Sequence, residues 1–226
     1  MNDRPASGLE REIKIAVAEL AAVRERLAAA GAVLEAPRAL ERNRVYERAD
    51  GSDPLLSSGR LLRLREDGAG ARLTYKGPAR HQEGVKIREE REIAIDSASA
   101  AAALLAGLGF VVSRRYEKRR ETWRLGDVLV ALDETPVGCF VELEEAGAGC
   151  VTAPPAELGP AASAGAVADG ARIAATARRL GLDPASAEPR SYLALWEAWR
   201  AEHPAAPADM VFDSRARARS APRRRS

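Results

Sequence analysis

Residues 61–77, LLRLREDGAGARLTYKG, hold two runs in which every second residue is apolar, joined by a glycine-bearing turn. In the first run Leu62 and Leu64 alternate with Arg63 and Arg65; in the second Leu73 and Tyr75 alternate with Arg72, Thr74 and Lys76. A period of two places alternate side chains on opposite faces of a strand. Gly68 and Gly70 suit the hairpin turn between the runs. The stretch therefore predicts a β-hairpin with one apolar and one basic face. The fold turns on what becomes of the basic face.

The same alternation recurs along the chain and predicts about eight strands, roughly 9–15, 43–48, 60–66, 71–77, 85–95, 113–125, 127–134 and 139–145. Nearly all carry charge on one face. Glu10, Glu12 and Lys14 share a face, as do Arg88, Glu90 and Glu92. Lys118 and Arg120 follow in YEKRRETW, Asp133 in VLVALDE, and Glu142 with Glu144 opposite Val141 and Leu143. Helical spacing appears at 16–30, ending at Gly31, and at 97–108, ending at Gly109. It returns at 166–180 and at 191–202, the last with Tyr192, Leu195, Trp196 and Trp199 on one face. Between them 146–165 is rich in Gly, Ala and Pro and reads as a loop. Residues 1–203 are expected to form one domain, and 204–226 a disordered tail.

At 46% hydrophobic and 30% charged, the 226 residues are too apolar for a disordered chain, while aromatics at 4% leave the core to Ala, Leu, Val and Ile. No run approaches the roughly 20 apolar residues of a membrane span, and the N-terminus lacks a secretory apolar stretch. A cytoplasmic location is the expectation. Residues 215–226 hold six arginines and no acid, so the other 29 bases face 33 acids and the folded part is slightly acidic. Such a tail could bind nucleic acid without structure, but a solvated end is the commoner case. Cys139 and Cys150 form no CxxC pair, and His81 and His203 make no zinc motif. No GxxxxGK[ST] phosphate loop is present.

An antiparallel sheet of eight strands tends to close and so lose its edges. With amphipathic helices packed outside, its charged face lines a tunnel. Buried charges cost several kcal/mol each unless paired or coordinated. Many bases suit the oxygens of a phosphate chain. Clustered carboxylates suit a hard divalent cation, such as Mg²⁺ or Mn²⁺. A triphosphate with its metal satisfies both.

The ordered set EREIK (10–14), LRLR (62–65), LTYKGP (73–78), REERE (88–92), EKRRE (117–121), LDE (132–134) and GCFVELE (138–144) resembles the CYTH superfamily, the triphosphate tunnel metalloenzymes. ARRLGL…RSYLAL (177–195) is similar to the C-terminal helices of class IV adenylyl cyclases, and thiamine triphosphatases belong to the same superfamily. The resemblance spans about 9–200 and implies an α+β fold, a closed eight-stranded antiparallel β-barrel with helices outside. It implies Glu10, Glu12, Glu142 and Glu144 as metal ligands, with Asp133 a further one, and a catalytic role for Lys14, Glu12 and Glu142. Lys14, Arg63, Arg65, Lys76, Arg88, Lys118 and Arg120 would hold phosphates, and Glu90 and Glu92 a second cation or the basic side chains. The segment VYERADG (45–51) departs from the family's Tyr-Phe-Asp-Thr pattern. The implied reaction is cyclisation of ATP to cyclic AMP and pyrophosphate. The alternative is hydrolysis of inorganic triphosphate, thiamine triphosphate or a nucleoside triphosphate. A non-catalytic polyphosphate-binding module would need fewer acids, and a homodimer is left open.

Overall fold

The computed structural model describes residues 6–82, 84–146 and 161–212. Among them one antiparallel sheet contains β1 (Ala6–Val17), β2 (Val33–Arg48), β3 (Leu61–Asp67), β4 (Gly70–Lys76), β5 (Arg80–Gln82), β6 (Val85–Ile95), β7 (Phe110–Leu125), β8 (Val128–Thr135) and β9 (Gly138–Glu145). The order β1-β9-β8-β7-β2-β3-β4-β6 closes because β6 also pairs with β1, setting Glu10 beside Arg88 and Glu12 beside Lys86. This is the expected eight-stranded barrel. The additional β5 joins β6 on the edge that β4 uses, beyond a break at Gly77-Pro78 where proline has no N–H to give the ladder.

Helices α1 (Ala21–Ala29), α2 (Ala98–Gly107) and α3 (Ala161–Arg179) cover the outer face, and α4 is Tyr192–Glu202. The Ser97 hydroxyl accepts the Ala100 N–H at 3.2 Å to start α2, and Ser191 does the same for Ala194 at 3.2 Å to start α4. Gly181, at φ +68°, ends α3; any Cβ there would lie 2.8 Å from Arg26 Nη1, which donates to the Leu180 carbonyl at 2.9 Å.

The outward residues Ile13, Ile15, Ile87, Val130, Leu132, Val141 and Leu143 pack with Val23 and Leu27 of α1 and Ile173, Ala177 and Leu180 of α3. Each such fully buried aliphatic side chain contributes about 2 kcal/mol. A second cluster sets Leu105 of α2 on Tyr46 and Leu64. α4 behaves differently. Its Tyr192 and Trp196 pack with Val45, Tyr116, Phe140 and Met210. Val45, Tyr116 and Phe140 stand at inward positions of β2, β7 and β9, so α4 stops one end of the barrel.

Several boundaries differ from the sequence reading. β2 starts at Val33, ten residues before the expected 43, and its pairing with β7 shifts register between Leu34 and Ala36 and again between Ala36 and Ala39, the stretch that holds Pro37. α1 starts at Ala21, because β1 continues to Val17. α3 begins at Ala161, inside the expected loop, of which 147–160 lie outside the described residues. The expected disorder from Pro204 gives way over 204–212. There Met210 is fully buried, its N–H donates to the Arg115 carbonyl at 3.0 Å, and its carbonyl accepts from Glu117 at 2.8 Å. Residues 213–226, with the arginines, and Cys150 lie outside the described residues. Among the described residues no helix is long and apolar enough to cross a membrane.

Candidate active site

Closure turns the charged strand faces inward around a cavity of about 780 Å³. It opens between Gly8, Glu35 and the β3–β4 turn at Gly68–Ala69, and ends against Tyr116, Tyr192 and Leu193. Strand register decides who meets whom inside. β1 sets Glu12 opposite Glu144 and Lys14 opposite Glu142 on β9. β4 sets Lys76 opposite Glu90 on β6, and β2 sets Glu41 opposite Lys118 on β7.

Two walls result. The wall of β1, β6 and β9 carries Glu10, Glu12, Glu90, Glu142 and Glu144. Glu10 accepts from Lys76 Nζ at 2.5 Å and Arg88 Nε at 2.9 Å. Burial favours its neutral form, but Lys76 and Arg88 outweigh that and hold its pKa below the ordinary value. Glu12 accepts from Lys86 Nζ at 2.6 Å, and Glu90 lies 3.0 Å from Lys76 Nζ. Glu144 has no hydrogen bond or ion pair among the described residues. Burial, with Glu10, Glu12 and Glu90 nearby, pushes its carboxyl up to about 8.

The facing wall of β2, β3 and β7 presents Arg63, Arg65, Lys118 and Arg120. Arg63 donates to Tyr116 Oη and Thr74 Oγ1, each at 3.3 Å. Arg65 donates to Glu92 at 3.3 Å, and Glu92 also accepts from Thr74 at 2.8 Å and Arg72 at 3.2 Å. Glu41 is buried within this wall, 3.5 Å from Lys118 and 3.7 Å from Arg65. Burial works against its charge, yet Lys118, Arg120, Arg65 and Arg63 hold its pKa at about 2.

At the closed end, Lys14 Nζ donates to the Arg190 carbonyl at 2.5 Å and lies 4.5 Å from the centroid of the Tyr192 ring. Loss of solvent lowers the Lys14 pKa despite Glu142 and Glu12. Arg120 bonds both Asp133 and Glu142. Burial opposes ionisation of Glu142, but Arg120, Lys118 and Lys14 keep its pKa well below the usual range.

Of the residues singled out from sequence, Glu10, Glu12, Lys14, Arg63, Arg65, Lys76, Arg88, Glu90, Glu92, Lys118, Arg120, Glu142 and Glu144 all line this cavity. Asp133 does not. It is fully buried at the floor, its oxygens taken by Lys118 Nζ at 3.1 Å, Arg120 Nε at 2.7 Å and Tyr192 Oη at 2.7 Å. Its carboxylate anchors these bases and Tyr192 behind the residues that line the cavity. Arg72 is at the rim with its side chain 44% exposed, and His81 is exposed on β5. Trp196 is buried while Trp199, stacked on it at 4.9 Å, is partly exposed.

Glu41, Lys86, Tyr116 and Tyr192 were not singled out for the site. Lys86 shares the parity of Arg88 and Glu90, which was a readable signal. Glu41 precedes the expected start of its strand, and Tyr116 and Tyr192 gain their roles through the packing of α4.

The CYTH domain family model matches residues 8–151. No protein in a search of curated sequences matches the chain. Among solved structures, a candidate adenylate cyclase from Vibrio parahaemolyticus is similar at 22% identity and TM-score 0.68, covering 84% of this chain and 98% of that one. A protein from Pyrococcus horikoshii is similar at 26% identity and TM-score 0.59, covering 82% and 98%. A candidate adenylyl cyclase from Hippeastrum, described as having a dominant triphosphatase activity, is similar at 20% identity and TM-score 0.54, covering 84% and 96%. The chain belongs to the CYTH domain family.

Proposed function

We propose that this protein is a divalent-metal-dependent enzyme that cleaves a triphosphate chain held inside the barrel. One observation carries the reading: a basic wall faces a wall with surplus carboxylates across a single cavity of about 780 Å³. A polyanion lying between them would meet cations on one side and a metal site on the other.

The donor chemistry fits a hard cation. Glu10, Glu12, Glu142 and Glu144 offer only oxygen, and burial, with carboxylates for neighbours, pushes the Glu144 carboxyl up to about 8. Among the described residues no three of these side chains converge as a formed metal centre, since Glu10 and Glu12 are drawn onto lysines. A divalent ion held there would neutralise charge on the phosphate oxygens as the leaving group departs.

The chain's own residues do the rest. Arg63, Arg65, Lys118 and Arg120 bind phosphate oxygens through charge-assisted hydrogen bonds and fix the chain's direction. Lys76 and Arg88 reach it from the other side once Glu10 turns to a cation. Lys14, with a lowered pKa, presents its nitrogen at the closed end, where it can donate to a phosphate oxygen or hand on a proton.

Two nucleophiles suit this frame. Water attacking a terminal phosphorus breaks the bridging P–O bond and releases orthophosphate and a diphosphate. The 3′-hydroxyl of ATP attacking the α-phosphorus expels pyrophosphate and gives cyclic AMP. Hydrolysis is favoured by the engaged aromatics. Tyr116 packs in the cluster under α4 and the Tyr192 face carries Lys14 and Lys118, so neither ring is free to stack on a base. The triphosphatase activity described for the Hippeastrum neighbour points the same way. Cyclisation is favoured by the EKRRE strand and the RSY segment, which resemble class IV cyclases.

The test incubates the protein and its Glu12→Ala variant with Mg²⁺ or Mn²⁺ and, separately, ATP, inorganic triphosphate and thiamine triphosphate, and resolves the products by chromatography. Turnover lost in the variant and in EDTA is expected. Turnover that persists in EDTA overturns the metal mechanism, and no turnover of any of the three overturns the enzyme reading.

A further inference from the structure

On the basic wall, Asn43 Nδ2 and Oδ1, Glu41 Oε2, Arg63 Nε and Arg65 Nε are buried with no hydrogen-bond partner among the described residues. Strand register gathers these atoms in one place. Asn43 lies opposite Arg65 on β3 and opposite Tyr116 on β7, its neighbour of like parity Val45 lies opposite Arg63, and Glu41 is its neighbour of like parity on the other side. Glu41 Oε2 keeps an ion pair with Lys118 at 3.5 Å, and Arg65 Nε one with Asp67 at 3.8 Å. Asn43 is 2% exposed and, unlike Glu41, Arg63 and Arg65, does not reach the cavity. It stands behind the two arginines.

A buried polar group left without a partner is costly, so folded interiors close such groups with protein or with ordered solvent. The mixture of atoms decides what fits here. Asn43 Nδ2 and the two arginine Nε atoms donate, while Asn43 Oδ1 and Glu41 Oε2 accept. A small anion would meet the Glu41 carboxylate, and a cation would meet two guanidinium groups. Water does both, accepting from the Nε–H groups and donating to Glu41 and the Asn43 oxygen. Exchanging the amide nitrogen and oxygen of Asn43 leaves the balance unchanged, because both ends lack a partner. The Nη atoms of the arginines are engaged elsewhere. Arg63 gives them to Tyr116 and Thr74, each at 3.3 Å, and Arg65 Nη2 goes to Glu92 at 3.3 Å. A bond at Nε from behind therefore fixes the plane of each planar fork.

We propose that Asn43 holds ordered water behind Arg63 and Arg65 and thereby positions their guanidinium forks for phosphate. The positioning role rests on the triphosphate reading above, whereas the water site does not. Asn43 touches no substrate in this arrangement and acts only through the arginines. Without it the forks swing more freely, and part of the binding energy of a phosphate chain goes to ordering them.

Rotating-frame NMR cross-relaxation between water and the arginine Nε–H protons of the isotopically labelled protein tests the site itself, with Arg63→Lys and Arg65→Lys assigning the signals. Long-lived water cross-peaks at both Nε–H groups are expected in the parent. Their absence overturns the water site, and this reading stands even where a variant at Asn43 fails to fold. Calorimetric titration with tripolyphosphate tests the positioning role. Asn43→Leu, of similar size but without polar atoms, is expected to bind roughly tenfold more weakly, as for one charge-assisted bond lost. Asn43→Ser keeps a hydroxyl and leaves room for a further water, so it should stay within about threefold of the parent. In an Arg65→Ala background the loss caused by Asn43→Leu should shrink, since one of its two targets is gone. A loss undiminished there, an equal loss in Asn43→Ser, or no loss in Asn43→Leu overturns the positioning role. Cross-peaks in a parent that binds no tripolyphosphate overturn the triphosphate reading and leave the water site standing.

Discussion

Glu41 is a carboxylate where a phosphate-binding wall has least use for one, and Glu41→Gln separates its two effects. Held at about 2 in the folded chain against an ordinary 4.5, its ionisation contributes about 3 kcal/mol of stability. The depressed value means that this contribution is complete above about pH 4.5 and is lost as pH falls through 2. Urea unfolding at pH 7 should therefore show the variant less stable by about 3 kcal/mol, and the gap should narrow at pH 3. The comparison is between two proteins at each pH, so the other titrating groups largely cancel. Binding should move the opposite way. With Lys118 and Arg65 released from Glu41, tripolyphosphate should bind the variant roughly tenfold more tightly, one charge several ångströms away at a near-surface dielectric being worth about 1–2 kcal/mol. In this account Glu41 occupies the charge of the bases until phosphate arrives. A variant as stable as the parent at both pH values would refute the ion placement. One that is destabilised and also binds tripolyphosphate more weakly would show that Glu41 orients the bases rather than competing for them.

Arg65→Ala removes a guanidinium whose side chain is 14% exposed and faces the cavity, and should raise KM for the triphosphate by about 2 kcal/mol, roughly 30-fold; unchanged KM and kcat would place it off the substrate path. Metal affinity should rise with pH up to about 8, because the proton on Glu144 must leave before a cation enters, and calorimetry in buffers of different ionisation enthalpy should detect its release at pH 7. A pH-independent metal affinity would exclude Glu144 as a ligand. Ile173→Ala empties a fully buried site between α3 and the barrel and should cost about 3 kcal/mol in urea unfolding, with KM unchanged in the folded protein.

The barrel was legible because its strands alternate without interruption where charge must face inward. LLRLRE and REERE admit no helical reading, and their parity alone names the cavity-lining side. Legibility failed where long-range contacts override local pattern. Pro37 and the alanines around it hide the first ten residues of β2, which strand-pairing with β7 holds in place regardless. Glu41 was missed with them. Asp133 has the parity of a cavity residue, and the resemblance implies a ligand there. What removes it from the cavity is Tyr192, 59 residues away in sequence, whose hydroxyl takes one of its oxygens. A hydrophobic helix face such as Tyr192–Leu195–Trp196–Trp199 says that it will be buried, but not that it will be buried in the end of a barrel.

The division between the two faces of the sheet also separates stability from function. Outside, Ile, Val and Leu pack on α1, α2 and α3 and supply the burial that offsets chain entropy. Inside, the ion pairs are nearly closed upon themselves. Glu10 holds Lys76 and Arg88, Glu92 holds Arg65, and Asp133 holds Lys118 and Arg120. Such a lattice roughly balances its own desolvation rather than adding to stability. Its value lies in being exchangeable, since each carboxylate that turns to a cation frees a base for phosphate. On that argument metal and phosphate should bind with positive cooperativity, each making vacant the partners the other needs. Titrating tripolyphosphate with and without Mg²⁺ at equal ionic strength reads the coupling, and an affinity indifferent to Mg²⁺ would show that the two walls act independently.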